Sequence, residues 1–327
     1  MEKPLSDFCP PKYLSSPHTQ TIIPALFRTK LTTPHFNSIL ELPDGDFLET
    51  RWHRPSDNRT SNNPLVIITH GLEGSMDSPY VRGLAKTLYD SNIASLTWNM
   101  RGCGRRQNRL KTWYHSGSSS DLRAIVTYAR QELPLKPIFI VGISIGGNIT
   151  AKYLGEEAAN AREQNIIGAA IVSTPLDLEG SAKTLALPSR RLYMQHLLRS
   201  LRRRIFDKHA QFGDEIPINQ LRGVRTFYDF DRIYTAPLNG FASVQEYWKT
   251  CSGINFLSTI DTPTLILTAL DDPFLSASCI PNKNIHLPAQ LFIETPSHGG
   301  HVGFIDSLCF TPTWLERRLL KFISENR

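Results

Sequence analysis

Pro137-Ile-Phe-Ile-Val-Gly142-Ile-Ser144-Ile-Gly146-Gly147 is the stretch that decides the fold. Its first five residues are apolar and rich in β-branched or aromatic side chains, as a buried strand requires. Gly142-Ile143-Ser144-Ile145-Gly146 then turns the chain sharply, and the residues from Ile145 to Glu157 suit a helix. Strand, one tight turn and helix form the setting in which G-x-S-x-G carries chemistry. The serine must take up a strained backbone to lift its hydroxyl above the sheet, so the residues two before and two after it must be small. Gly142 and Gly146 meet that need. The helix that follows aims N–H groups and a positive dipole end at any negative charge forming beside the serine. A phosphate cradle would need a longer glycine loop with Lys and Ser/Thr, which is absent. Ser144 is the candidate nucleophile.

Short apolar runs alternate with longer amphipathic segments from about residue 39 to the end, the pattern of an α/β fold built on a mostly parallel sheet flanked by helices. The pattern predicts strands over Ile39–Leu42, Phe47–His53, Leu65–Thr69, Ala94–Trp98, Pro137–Val141, Ile166–Val172, Thr264–Leu270 and Gln290–Glu294. Asp44-Gly45 between the first two predicts a hairpin turn, since this pair tolerates positive φ. Helices are predicted over Tyr80–Tyr89, Leu122–Glu132, Ile145–Glu157 and Thr313–Ser324, the last beginning after Thr311-Pro312. Residues from about Leu176 to Ser258 carry no convincing strand and much helical patterning. A segment that long is not plain loop, so it reads as a helical cap (176–258) inserted into a core made of 1–175 and 259–327.

A serine hydroxyl becomes a useful nucleophile only when a neutral imidazole accepts its proton and a carboxylate orients that imidazole. On a fold of this kind the order along the chain is Ser, acid, His, each after a strand. Asp271-Asp272-Pro273 ends the Thr264–Leu270 run, and Asp272, next to the proline, is favoured over Asp271. Thr295-Pro-Ser-His298-Gly-Gly-His301 follows the next strand. His301 is favoured over His298, because Gly299-Gly300 allow it a close approach to Ser144. Two backbone N–H donors would stabilise the oxyanion. One is assigned to Ile145, and the other to Leu72 in the His70-Gly71-Leu72-Glu73-Gly74 loop after the Leu65–Thr69 strand.

The 327 residues suffice for a sizeable core without disulfides or metal. Hydrophobic residues at 40% and charged residues at 20% are ordinary for a globular protein, and a net charge of +6 does not argue for nucleic acid. The five cysteines, Cys9, Cys103, Cys251, Cys279 and Cys309, fall at neither metal-ligand nor redox spacing, so free thiols in the cytoplasm are expected. The opening residues lack a signal-peptide pattern, and no apolar run approaches the roughly 20 residues of a membrane span. Neither cofactor nor metal is expected.

With these residues identified, the chain resembles the YheT-type branch of the α/β-hydrolases along nearly its whole length. Ser16-Pro-His-Thr-Gln-Thr21 with Leu26-Phe-Arg28, His70-Gly-Leu-Glu-Gly-Ser75, Arg101-Gly-Cys-Gly104 and Tyr114-His-Ser-Gly117 are similar to motifs of that branch. So are Ala236-Pro-Leu-Asn-Gly-Phe241, Asp271-Asp-Pro-Phe274 and Gly299-Gly-His-Val-Gly-Phe304. The resemblance implies an α/β-hydrolase fold, a Ser144, Asp272 and His301 triad, and esterase-like activity on small-molecule or lipid-like carboxylic esters. A non-catalytic ligand-binding or scaffold protein on the same fold is the alternative. In the cap, Met194, Leu197, Leu198, Leu201 and Ile205 form a helical apolar stripe. Arg199 and Arg203 fall opposite it with Arg202 and Arg204 on the flanks, which predicts a solvated basic face open to peripheral contact with an anionic membrane.

Overall fold

A computed structural model describes residues 6–28, 31–56, 63–281, 287–308 and 310–326. Eight strands make one sheet: β1 (Phe36–Glu41), β2 (Phe47–His53), β3 (Leu65–Thr69), β4 (Ser95–Asn99), β5 (Ile138–Ile143), β6 (Ile166–Val172), β7 (Thr264–Leu267) and β8 (Leu291–Glu294). Their spatial order is β1-β2-β4-β3-β5-β6-β7-β8. The first three are joined antiparallel and every pairing from β4 onward is parallel. The Asp44-Gly45 turn closes the β1–β2 hairpin with Gly45 at φ 85°.

The parallel strands are buried on both faces, so their side chains divide with period two. Leu65 and Ile67 of β3 join Ile138 and Ile140 of β5 in the core on one side of the sheet. Val66 and Ile68 join Phe139 and Val141 on the other. Helices α3 (Ser119–Glu132) and α4 (Ile145–Glu157) cover the first side, and α2 (Pro79–Asp90) and α11 (Trp314–Glu325) the second. A short α5 (Asn160–Glu163) leads from α4 towards β6.

Between β6 and β7 the described chain is helical: α6 (Leu178–Leu185), α7 (Arg191–Phe212), α8 (Phe227–Phe230), a π-helical turn (Asp231–Thr235), α9 (Ala236–Leu238) and α10 (Val244–Cys251). The apolar stripe of α7 packs inward, with Met194, Leu198, Leu201 and Ile205 buried against the core. Its basic residues correct the sequence expectation. Arg199 and Arg203 are exposed and Arg202 is partly buried, donating to the Val224 carbonyl at 2.5 Å. Arg204, placed by periodicity on a solvated flank, is instead buried in an ion pair with Glu73. A flank position on a helix faces whatever packs beside it, and here that is the loop after β3.

Other differences are local. Strand β7 stops at Leu267, although the Thr268 and Leu270 N–H groups still bond to the Glu294 and Pro296 carbonyls beyond it. Helix α11 is capped by Thr313, whose hydroxyl and the Glu316 carboxylate form a capping box. A first helix, α1 (Pro17–Phe27), has no counterpart among the helices expected from periodicity. Cys9, Cys103, Cys251 and Cys279 are free thiols; Cys309 lies outside the described residues. Among the described residues no helix is long and apolar enough to cross a membrane.

Candidate active site

Ser144 sits between β5 and α4 with φ 55° and ψ −123°. Such a conformation in a non-glycine residue costs on the order of 1–3 kcal/mol and persists only where the surroundings enforce it. They do so by close packing. A Cβ at Gly146 would lie 2.5 Å from the carbonyl oxygens of Thr69 and His70, and one at Gly142 would collide with the Gly146 carbonyl. The Ser144 N–H is held by Val172 O at 2.8 Å.

The loops after β7 and β8 bring the two partners to this hydroxyl. His301 Nε2 lies 3.0 Å from Ser144 Oγ, and His301 Nδ1 lies 2.9 Å from Asp272 Oδ2. Asp272 is itself fixed, since its Oδ1 accepts the Phe274 N–H at 2.8 Å. The carboxylate dictates the tautomer: Nδ1 carries the proton and Nε2 is left as the acceptor for the serine hydroxyl. Phe274 stacks on the imidazole with ring centroids 4.1 Å apart and planes 14° from parallel. The neighbouring pair stands apart from this chain. Asp271 Oδ1 accepts the Gly300 N–H at 2.9 Å, and His298 Nδ1 approaches Asp271 Oδ2 at 3.5 Å.

Leu72 and Ile145 line the same cavity as Ser144 and His301. On either side of Leu72 the backbone donors are occupied: Gly71 N–H by the Tyr80 hydroxyl and Glu73 N–H by the Tyr114 hydroxyl, each at 2.8 Å. No acceptor meets the N–H of Leu72 or of Ile145 among the described residues. The loop is locked from the cap. Glu73, at φ 52°, accepts from Tyr114 OH at 2.8 Å and Arg204 Nε at 2.9 Å, and Arg204 Nη2 lies 2.7 Å away. His70 contributes from below, its Nε2 accepting the Met100 N–H at 3.1 Å. Burial pushes the His70 imidazole down to about 4, which keeps it neutral as that bond requires. Arg101 and His115 pin loops: Arg101 bridges Asp44, Asp46 and Asp121, and His115 Nδ1 takes the Gly117 N–H at 3.1 Å.

The histidine loop leans on α1. Thr21 Oγ1 accepts the His301 N–H at 2.9 Å. Gln20, fully buried, accepts the Ile305 N–H and donates to the Ile305 and Leu14 carbonyls. Periodicity missed this helix because Pro24 interrupts it. The legible signal was Ser16-Pro17, an N-cap serine whose Oγ accepts the His18 N–H, followed by proline at the first helical position.

The cavity above Ser144 holds about 560 Å³. Its walls are largely apolar, formed by Leu72, Trp113, Leu185, Leu201, Phe227 and Phe230 among others.

Residues 64–308 match the family model described as alpha/beta hydrolase fold. The chain is 36% identical to "Putative esterase YheT" of Escherichia coli (strain K12), over 96% of this chain and 92% of that protein. It is 32% identical to the monoacylglycerol lipase of Saccharomyces cerevisiae, over 76% of this chain and 57% of the yeast protein. Among solved structures, the Pyrococcus furiosus esterase Pf2001 superposes with a TM-score of 0.60 at 16% identity, covering 90% of this chain and 91% of that one. The extent of these matches makes this chain a member of the α/β-hydrolase fold family, in the branch represented by YheT.

Proposed function

We propose that the protein is a serine hydrolase that cleaves carboxylic esters through an acyl-enzyme on Ser144. The observation that carries this reading is the continuous hydrogen-bonded chain from Ser144 Oγ through His301 to Asp272. In the first half-reaction Ser144 Oγ attacks the ester carbonyl carbon while His301 Nε2 takes its proton. The negative charge that moves to the carbonyl oxygen is met by the N–H groups of Leu72 and Ile145, which have no competing acceptor among the described residues. The tetrahedral intermediate collapses, the C–O bond to the alcohol breaks, and His301 returns the proton to the departing oxygen. Water then attacks the acyl-enzyme with His301 as base, releasing the acid and restoring the serine. Asp272 stays ionised throughout and stabilises the imidazolium.

The large apolar cavity supports a lipid-like acyl or alcohol group, and the relatives named as esterase and monoacylglycerol lipase are consistent with that class. Fluorophosphonate labelling is the direct test. Rapid covalent labelling of the wild type, lost in Ser144→Ala, is expected, together with a fall in p-nitrophenyl ester turnover of about 10⁶. Undiminished hydrolysis by folded Ser144→Ala would overturn the assignment.

A further inference from the structure

The cavity wall opposite the sheet contains one acidic side chain the ester chemistry does not use. Asp231 opens the π-helical turn Asp231–Thr235, is partly accessible, and lines the cavity that holds Ser144. Among the described residues no Lys, Arg or His lies within ion-pair distance of it. The Trp248 indole N–H reaches its Oδ2 at 2.9 Å, and the Thr235 hydroxyl is close by; neither carries charge. A carboxyl with no cation beside it in apolar surroundings is costly. Tyr247 lies near Asp231, and Ser116 and His115 line the same cavity. Burial holds the His115 imidazole down at about 4, and since Nδ1 accepts the Gly117 N–H, its proton sits on Nε2. Ser116 and Tyr247 are hydrogen-bonded to each other, Tyr247 OH donating to Ser116 Oγ at 2.9 Å.

Building on the ester-hydrolase reading, we propose that Asp231, held by Trp248 and Thr235 and facing the cavity that Tyr247, Ser116 and His115 also line, is a specificity subsite for a hydroxyl carried by the substrate's acyl chain or alcohol. A hydroxyl donates to a carboxylate and accepts from a carboxylic acid, so it complements the group in either form. That matters because burial raises the Asp231 carboxyl to about 6, near working pH. An ammonium group would suit only the ionised form and would leave the neutral donors of His115 and Ser116 without a role. A site built to bond a hydroxyl also rejects the analogue that lacks it, because its own polar groups are then stranded.

The test compares kcat/KM for methyl decanoate, methyl hydroxydecanoates with the hydroxyl at successive carbons, glycerol monodecanoate and decanoylcholine. The two hydroxylated classes separate an acyl from an alcohol location. Wild type is expected to prefer at least one hydroxylated ester over methyl decanoate by about tenfold or more. That ratio should collapse towards one in Asp231→Leu and be partly kept in Asp231→Asn, which retains an acceptor for Trp248. Calorimetric binding of decanoic and hydroxydecanoic acids and of glycerol monodecanoate to Ser144→Ala and Ser144→Ala/Asp231→Leu reads the same preference without turnover, so absence of ester hydrolysis would sink the serine reading and still leave the subsite decided. Equal use of plain and hydroxylated ligands by wild type, a preference that survives Asp231→Leu, or a stronger preference for the choline ester would each overturn the proposal.

Discussion

Arg204→Met is the perturbation that most directly tests how the cap helix holds the reaction site. In the native protein the Arg204 and Glu73 side chains are only 6% and 12% exposed, and Glu73 follows Leu72, the proposed oxyanion donor. Removing the guanidinium strands a carboxylate whose remaining side-chain donor is Tyr114 OH. Breaking one side of a buried ion pair costs about 3–5 kcal/mol, a large share of the roughly 5–15 kcal/mol that holds a domain together. Catalysis should suffer separately. With Tyr114 alone left to hold Glu73, the loop loses its anchor to α7, and the Leu72 N–H shifts away from the carbonyl oxygen. Loss of one oxyanion donor typically lowers kcat by about 10²–10³, while KM changes little, since the donor acts chiefly in the transition state. Urea unfolding and steady-state p-nitrophenyl ester kinetics would be run on Arg204→Met, Glu73→Gln and the double variant. The double variant should regain much of the stability, because it buries no unpaired charge, but not the rate, because the loop still lacks its anchor. Single variants within about 0.5 kcal/mol of wild type, with unchanged kcat, would refute the reasoning.

The acid and base assignments make a ranked prediction: Asp272→Asn should lower kcat by about 10⁴ and Asp271→Asn far less, with His301→Ala likewise exceeding His298→Ala; a reversed order in either pair transfers the role to the neighbour. Stability should decline on the acid side through three histidines. Burial holds His53 at about 3 and both His70 and His115 at about 4, so the unfolded chain takes up protons first. Their contribution is complete above pH about 6.5 and is lost as pH falls towards those values, at about 1.4 kcal/mol per pKa unit. Unfolding midpoints that stay flat from pH 7 to pH 4 would contradict this. On the cap, Arg199 and Arg203 remain exposed and are worth about 1 kcal/mol each near an anionic bilayer. Sedimentation with anionic vesicles, weakening with salt and reduced in Arg199→Gln/Arg203→Gln, is the expected result, and equal recovery of both proteins in the supernatant removes the membrane reading.

Much of this molecule was legible because the parallel strands write their pattern locally. Leu65–Thr69 and Ile166–Val172 are apolar runs bounded by turn residues, and a strand buried on both faces has no other way to read. The elbow was legible for a steric reason, since only glycine fits at positions 142 and 146 against the carbonyls around them. What periodicity could not supply was long-range. Arg204 lies three residues beyond Leu201 on α7, and nothing in the helix tells a solvated flank from one packed on the Glu73 loop. Nothing in the sequence singles out Asp231, which the fold brings against Trp248 from 17 residues away. Helix α1 was hidden by Pro24, whose missing N–H argues against a helix interior. Its value here lies in Gln20 and Thr21, whose partners are about 280 residues away.

These remote contacts change what the cap is. Helix α7 grips the oxyanion loop through Arg204, and Tyr193 of the same helix packs edge-on against Phe274, 4.9 Å between ring centroids, while Phe274 stacks on His301. Tyr193 OH is also 2.8 Å from His18 Nδ1 on α1. Swinging α7 away as a rigid lid would therefore release the oxyanion loop, unstack the imidazole and detach α1 in one motion, dismantling the geometry that the substrate must meet. Access has a less costly route. Ile22 and Leu26 of α1 and Leu192 of α7 line the cavity while standing 43%, 69% and 81% exposed. The gap between these two helices is thus an apolar entrance that already reaches solvent. A chain of CH₂ groups gains about 0.8 kcal/mol for each one buried along such a wall, so a lipid-like ester can be drawn in past α1 with the ion pair and the stacked histidine left in place.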